Sequence, residues 1–147
     1  MSDTSHYRKL EHLYAAAPIT RWYGATIEIS DGRATVHIRV RPEFLHAAAA
    51  VHGSVYFRAL DDAAFFAANS RVTDVLLLTV AFNIQFTAPV REGVITGHGR
   101  IVHAGARILV AESELRDDGG RLLAKGSGTF AHSRIPLSPD VGYTEAS

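Results

Sequence analysis

Residues 51–70 read VHGSVYFRALDDAAFFAANS, and the architecture of the whole chain follows from how that stretch behaves. A His-Gly-Ser turn opens it. About four helical turns rich in Ala, Phe, Leu and Val follow, interrupted by two adjacent carboxylates, Asp61 and Asp62. A carboxylate in an apolar helix is costly to bury unless it has a partner, a raised pKa or a chemical task. At about 100° per residue, Asp61 shares a stripe with Ser54, Phe57, Phe65 and Ala68, whereas Asp62 shares one with Arg58 and Asn69. Asp62 therefore has a cation four residues before it and reads as a structural or solvated ion pair. Asp61 lies among aromatic rings with no cation on its stripe. A partly desolvated carboxylate of that kind suits general-base or nucleophilic work.

On either side the hydrophobic period changes. Before the helix, residues 4–17 carry Tyr7, Leu10, Leu13 and Tyr14 at helical spacing, with Pro18 as the stop. Residues 22–29 predict a strand, and Asp31-Gly32 predicts a hairpin turn. Residues 33–41 then alternate, placing Ala34, Val36, Ile38 and Val40 on one face and Thr35, His37 and three arginines on the other. After the helix, residues 75–86, VLLLTVAFNIQF, predict a long strand. Its even positions are apolar, and its odd positions, including Thr79, Ala81, Asn83 and Gln85, form a small and polar face suited to lining a site. Turn signals at Glu92-Gly93, Ala104-Gly105 and residues 117–120 divide the remainder into an antiparallel meander of residues 94–103, 106–116 and 121–132. Residues 133–147 read as an extended strap with a frayed end.

Two strands, one long apolar helix and four more strands can bury that helix only if the antiparallel sheet curls around it. The expectation is one α+β domain over residues 1–147, with about five to six strands, a short helix over residues 1–18 and a tail over residues 133–147. The open edges of such a sheet are normally paired, so a homodimer is expected, with a homotetramer left open.

Composition narrows the function. Lys plus Arg and Asp plus Glu number 15 each, which argues against a nucleic-acid or anionic-membrane partner. The absence of Cys removes thiol nucleophiles and thiolate zinc sites. The eight histidines include no short metal-ligand spacing, and no G-x-S-x-G elbow or Walker loop occurs. No metal site is expected. The N-terminus is polar and interrupted by charge, unlike a secretory signal, and a cytoplasmic location is the expectation.

The His52-Gly53-Ser54 turn adds a second chemical feature. Backbone N–H groups at a helix start lack intrahelical partners and meet the positive end of the dipole. Glycine there lets a substrate carbonyl approach the backbone, so the Gly53 N–H suits either an oxyanion donor or a plain helix cap.

His52-Gly53-Ser54 followed by Asp61 resembles the HGG-x(6)-D signature of the PaaI-type hotdog-fold acyl-CoA thioesterases. The resemblance continues through AAFFAANS, TVAFNIQFTAPV and GRIVHAGARILVAESELRDDGGRLLAKGSGTF, covering roughly residues 20–132. It implies a hotdog fold, in which the curled sheet wraps the central helix, and hydrolysis of an acyl-CoA to free acid and coenzyme A. Coenzyme A would come with the substrate, with no separate cofactor. In the roles carried over, Asp61 is the carboxylate that attacks the thioester carbonyl or activates water, and the Gly53 N–H polarises that carbonyl. His46 corresponds to the family's Asn or His near the leaving group, Thr79 to a hydroxyl that positions water, and His52 to the motif histidine.

Ser54 replaces the second motif glycine, His46 the commoner Asn, and Asp62 a position frequently small or Thr. For substrate binding, Ser54, Phe57, Phe65 and Asn83 are expected to line the acyl slot, together with strands of a second copy. Arg107 is the first candidate for the coenzyme A phosphates, ahead of Arg100, Arg134 and Lys125. Two other functions fit the same chain: an acyl-CoA hydratase or dehydratase using His46 or His52, and a non-catalytic acyl-CoA-binding domain.

Overall fold

The computed structural model describes residues 3–145. Two helices, α1 (Asp3–Ala16) and α2 (Pro18–Tyr23), precede the strands β1 (Thr26–Ser30) and β2 (Arg33–Arg39). A short 3-10 turn (Pro42–Phe44) leads to the long helix α3 (Gly53–Asn69). Strands β3 (Val75–Phe86), β4 (Val94–Ala104), β5 (Ile108–Arg116) and β6 (Leu122–Pro136) complete one six-stranded sheet, followed by a 3-10 turn (Pro139–Val141). The spatial order is β1-β2-β4-β5-β6-β3, and every pairing is antiparallel. The sheet curls about α3, as the hotdog expectation requires. Among the described residues, no helix is long and apolar enough to cross a membrane.

Small residues set the distance between helix and sheet. On β4 the inward positions Gly97 and Gly99 lie directly under α3. A Cβ on Gly97 would stand 2.9 Å from the Ala59 carbonyl oxygen, and one on Gly99 only 2.1 Å from that of Ala63. Alanines at 59, 63, 64, 67 and 68, all fully buried, let the helix settle that closely. Around this contact Val55, Leu60 and Phe66 of α3 pack with Val36, Ile38, Ile95, Leu115 and Leu123 of the sheet. Burial of each such large side chain stabilises the fold by about 1.5–3 kcal/mol. The Ser113 hydroxyl, buried in the same layer, donates to the Leu60 carbonyl at 2.8 Å.

Three elements depart from the sequence reading. Residues 22–29 do not form one strand. Pro18 stands at the first helical position, so it starts α2 as well as stopping α1, and Gly24 closes α2 in the left-handed region (φ 68°). The last strand runs on to Pro136, where it pairs with Val75, and takes in the first part of the expected strap. Finally, β3 does not keep one apolar face. Its pairing with β6 is irregular between Thr79 and Ala81, and a bulge of one residue exchanges the two faces. Leu77 and Thr79 point inward before it, Phe82 and Ile84 after it. Leu78, Val80 and Phe86 are more than half exposed.

The two sheet edges are treated differently. Along β1, Arg8 and Glu11 of α1 reach the strand: Glu11 accepts the Ile29 N–H at 2.7 Å and Arg8 donates to the Ile29 carbonyl at 2.6 Å. The two side chains also pair at 2.8 Å, so helix side chains take the place of a neighbouring strand. Edge strand β3 instead presents a row of exposed apolar side chains.

Candidate active site

The loop before α3 is organised by its two histidines. His46 Nδ1 accepts the Ala48 N–H at 3.0 Å, in a turn where Ala49 adopts φ 63°. Leu45 and Val51 then bridge and bring the chain to the helix start. His52 is the N-cap of α3: its Nδ1 accepts the Ser54 N–H at 3.0 Å, and the Ser54 Oγ lies 2.9 Å from the same nitrogen. The Ser54 N–H donated to Nδ1 places the proton of a neutral imidazole on Nε2. Ser54 therefore serves the cap as well as the surface.

Gly53 is the first helical residue, and its N–H has no hydrogen-bond partner among the described residues. A Cβ on Gly53 would sit 3.2 Å from the Phe86 ring. The donor and the edge strand thus meet at this end of the helix. Beside it, a cavity of about 310 Å³ is lined by Trp22, Tyr23, Phe44, Leu45, His52 and Ser54, among others. A larger cavity, about 640 Å³, lies between α1 and β1 and contains none of the expected site residues.

Asp61 lies two turns further along α3. Its Oδ1 accepts the Thr79 hydroxyl of β3 at 2.9 Å. Burial pushes the Asp61 carboxyl above the usual carboxylate range, while Thr79 and the Arg58 charge pull it partly back. Phe57, 40% exposed, lies on the same side and meets Phe82 edge to face at 5.6 Å between ring centres. Phe65 is partly buried: it meets Phe130 edge-on at 5.7 Å and packs against the core.

Asp62 departs most from its expected surroundings. It does pair with Arg58, whose Nε lies 2.8 Å from Oδ2, but it is only 5% exposed. The Tyr14 hydroxyl of α1 donates to the same oxygen at 2.6 Å. Burial raises the Asp62 carboxyl to about 7, against the opposing pull of Arg58 and Tyr14. The solvated alternative is therefore wrong, and the Tyr14 contact was invisible in sequence because it spans residues from different elements. Tyr14 carried only the signal of an apolar helical stripe.

Gly53 and Asp61 are on one helix but not at one point. The eight residue steps from one to the other, at about 1.5 Å each, separate donor and carboxylate along the axis by about 12 Å. A single thioester carbonyl cannot touch both in the same chain. Asn83 is not brought to either one. It pairs with Ser127 and faces the outer side of the sheet with Gln85 and Lys125, because the bulge has already exchanged the faces.

Of the expected phosphate partners, Arg100 pairs with Glu112, and Lys125 lies 3.5 Å from Glu114. Arg134 is exposed on the last part of β6. Arg107 is exposed in the β4–β5 turn, two residues before Leu109. Leu109 shares a row across the sheet with Phe130 and Thr79, so Arg107 emerges at the same end of the sheet as Asp61. Among the described residues no three His, Asp or Glu are grouped to hold a metal ion.

The model of the thioesterase superfamily matches residues 48–124, which span both the capped helix start and Asp61. A protein of Saccharolobus solfataricus, provisionally named an esterase, is 31% identical over 105 residues, covering 71% of this chain and 74% of its own. The structure of the Escherichia coli PaaI protein from the phenylacetic acid degradation operon superposes with a TM-score of 0.84. It is 20% identical, and the match covers 92% of this chain and 99% of that one. A conserved protein of Pseudomonas aeruginosa superposes at 0.75 with 28% identity, over 82% and 97% of the two chains.

Proposed function

This chain belongs to the thioesterase superfamily, and on that footing we propose that it hydrolyses an acyl-CoA to the free acid and coenzyme A. The observation that supports this most is the Asp61–Thr79 pair: a partly desolvated carboxylate held by a hydroxyl on an apolar helix face. Asp61 attacks the thioester carbonyl carbon itself, or takes a proton from a water that does. In either route the carbonyl oxygen gains negative charge, the C–S bond breaks and the thiolate leaves as coenzyme A. Net addition of water gives the acid and the thiol.

The developing oxyanion needs a donor near the carbonyl, and the Gly53 N–H of the same chain is about 12 Å too far along the helix. The reading therefore requires a homodimer in which Gly53 of one copy faces Asp61 of the other. Leu78, Val80 and Phe86 on the unpaired edge of β3, with Phe57 beside them, supply the apolar surface for that pairing. His46 and His52 would stand near the leaving group, Ser54 and Phe57 at the acyl slot, and Arg107 near the phosphates. The enzyme is proposed to act in the cytoplasm, without a bound cofactor.

The test is purified Asp61→Asn, checked for folding by circular dichroism and assayed against a panel of acyl-CoAs by release of free thiol. Loss of hydrolysis by at least about a hundredfold is expected for removal of the base or nucleophile. Activity equal to wild type would rule out the assignment.

A further inference from the structure

Arg58 can reach two carboxylates. It lies three residues before Asp61 and four before Asp62, and both spacings put side chains on adjoining helix surface. The structure commits it to Asp62, at 2.8 Å. The other groups that hold it there come from the two N-terminal helices. The Tyr14 hydroxyl of α1 donates to Asp62 Oδ2 at 2.6 Å, and Arg58 Nη2 donates to the Thr20 hydroxyl of α2 at 3.3 Å. The guanidinium also lies over two rings, 5.8 Å from that of Tyr14 and 5.5 Å from that of Tyr23. These groups partly enclose one cation, its side chain 21% exposed, beside the helical turn that carries Asp61.

We propose that Asp62 is a positioning residue that holds Arg58 away from Asp61, with Tyr14 and Thr20 locking the arrangement. The proposal rests on the reading of Asp61 as the reacting carboxylate. Without the Asp62 carboxylate, Arg58, whose side chain is 21% exposed, loses its ion-pair partner, and the next carboxylate within helical reach is Asp61. An Asp61 paired with a guanidinium is a weaker base and nucleophile, and its oxygens are occupied. Asp62 thereby keeps the neighbouring carboxylate reactive without touching substrate.

The groups facing this pair are few. Tyr14 approaches from α1 and Tyr23 from α2, Asp61 and Arg58 lie on α3 itself, and Thr79 reaches Asp61 from β3. The charge of Arg58 already lowers the Asp61 carboxyl somewhat from where burial would place it. Closer approach strengthens that pull.

The test compares wild type with Asp62→Asn and with the double variant Arg58→Met/Asp62→Asn. Each is followed by kcat/KM against pH on the acyl-CoA that wild type turns over fastest, and by the Asp61 titration in 13C-aspartate NMR spectra. Asp62→Asn is expected to lower kcat about tenfold and to move the Asp61 titration, with the acid limb of the profile, down by about one pH unit or more, the usual effect of a new close cation. The double variant, which carries neither charge, is expected to recover both the rate and a titration at or above that of wild type.

An unchanged profile in Asp62→Asn, or a folded double variant that stays impaired, overturns the proposal. If Asp62→Asn does not fold, the double variant still decides, because the proposal requires the enzyme to work once both charges are gone. Loss of function in Asp61→Asn together with a silent Asp62→Asn would leave the Asp61 reading standing and remove this one. A moving Asp61 titration in an enzyme indifferent to Asp61→Asn would do the reverse.

Discussion

Thr79 donates its hydroxyl to Asp61 across 2.9 Å, joining the edge strand to the central helix at the candidate catalytic carboxylate. The bond stabilises the ionised form of Asp61 and opposes the effect of burial. Thr79→Val keeps the β-branched shape and removes only the hydroxyl. The Asp61 carboxyl then rises further, so the acid limb of kcat/KM moves to higher pH. Loss of orientation is expected to cost about tenfold in kcat, equivalent to about 1.4 kcal/mol in the barrier. A pH–rate profile of the variant checks both effects.

Gly53 allows its N–H to be removed almost alone. It is the first residue of α3, where proline is well tolerated, and His52 already has φ −65° and ψ 144°, as a residue preceding proline should. Gly53→Pro is expected to remain folded and to lose about a hundredfold in kcat through the missing oxyanion donor. Co-expression of Gly53→Pro with Asp61→Asn tests the composite site. A mixed dimer has one complete pair, so random mixing should restore about a quarter of wild-type activity to a mixture of two inactive parents. No recovery would show that both groups act within one chain or that one of them does not act.

At Gly99 the helix backbone leaves no room for a methyl group. The Cβ of alanine would lie 2.1 Å from the Ala63 carbonyl oxygen, and only a shift of α3 relative to β4 could relieve the overlap. Gly99→Ala is expected to destabilise by about 3 kcal/mol, the upper part of the usual range for overpacking. Urea unfolding followed by circular dichroism measures it.

His6 gives the fold a pH dependence of its own. It is 2% exposed, with Nδ1 2.7 Å from the Tyr143 hydroxyl and Nε2 3.0 Å from the Asn69 carbonyl. Burial holds its pKa below the ordinary 6.5. As pH falls through 6.5 the unfolded chain takes up a proton that the folded chain resists, so stability is lost on the acid side and unaffected above it. Asp62 acts oppositely. Raised from 3.8 to about 7, it favours the folded state at low pH, and that contribution fades as pH climbs through about 7. The informative comparison is therefore His6→Gln with wild type, by urea unfolding at pH 7.5 and 5.5. The variant should lose less stability between the two than wild type does.

Much of this was legible from local pattern. The alternation in residues 33–41, the Asp31-Gly32 turn and the later hairpin turns placed five strands within a few residues of where they lie. The apolar run after His52 placed α3. The stripe argument separated Asp61 from Asp62, and the Arg58–Asp62 pair follows from i, i+4 spacing alone. These are short-range features, in which spacing along the chain fixes which side chains share a face.

What failed depended on one irregularity or on distant contacts. The bulge after Thr79 left that residue facing α3 but turned Asn83 to the outer side of the sheet, since a single extra residue inverts a period of two. Burial of Asp62 was decided by where α1 docks, through a hydroxyl 48 positions away in sequence. The separation of Gly53 from Asp61 is different again. It was present in the count of residues between them, but it became a constraint only once both lay on one straight helix. Residue order names the candidate groups; the rigid rise of α3 sets Gly53 and Asp61 about 12 Å apart along its axis.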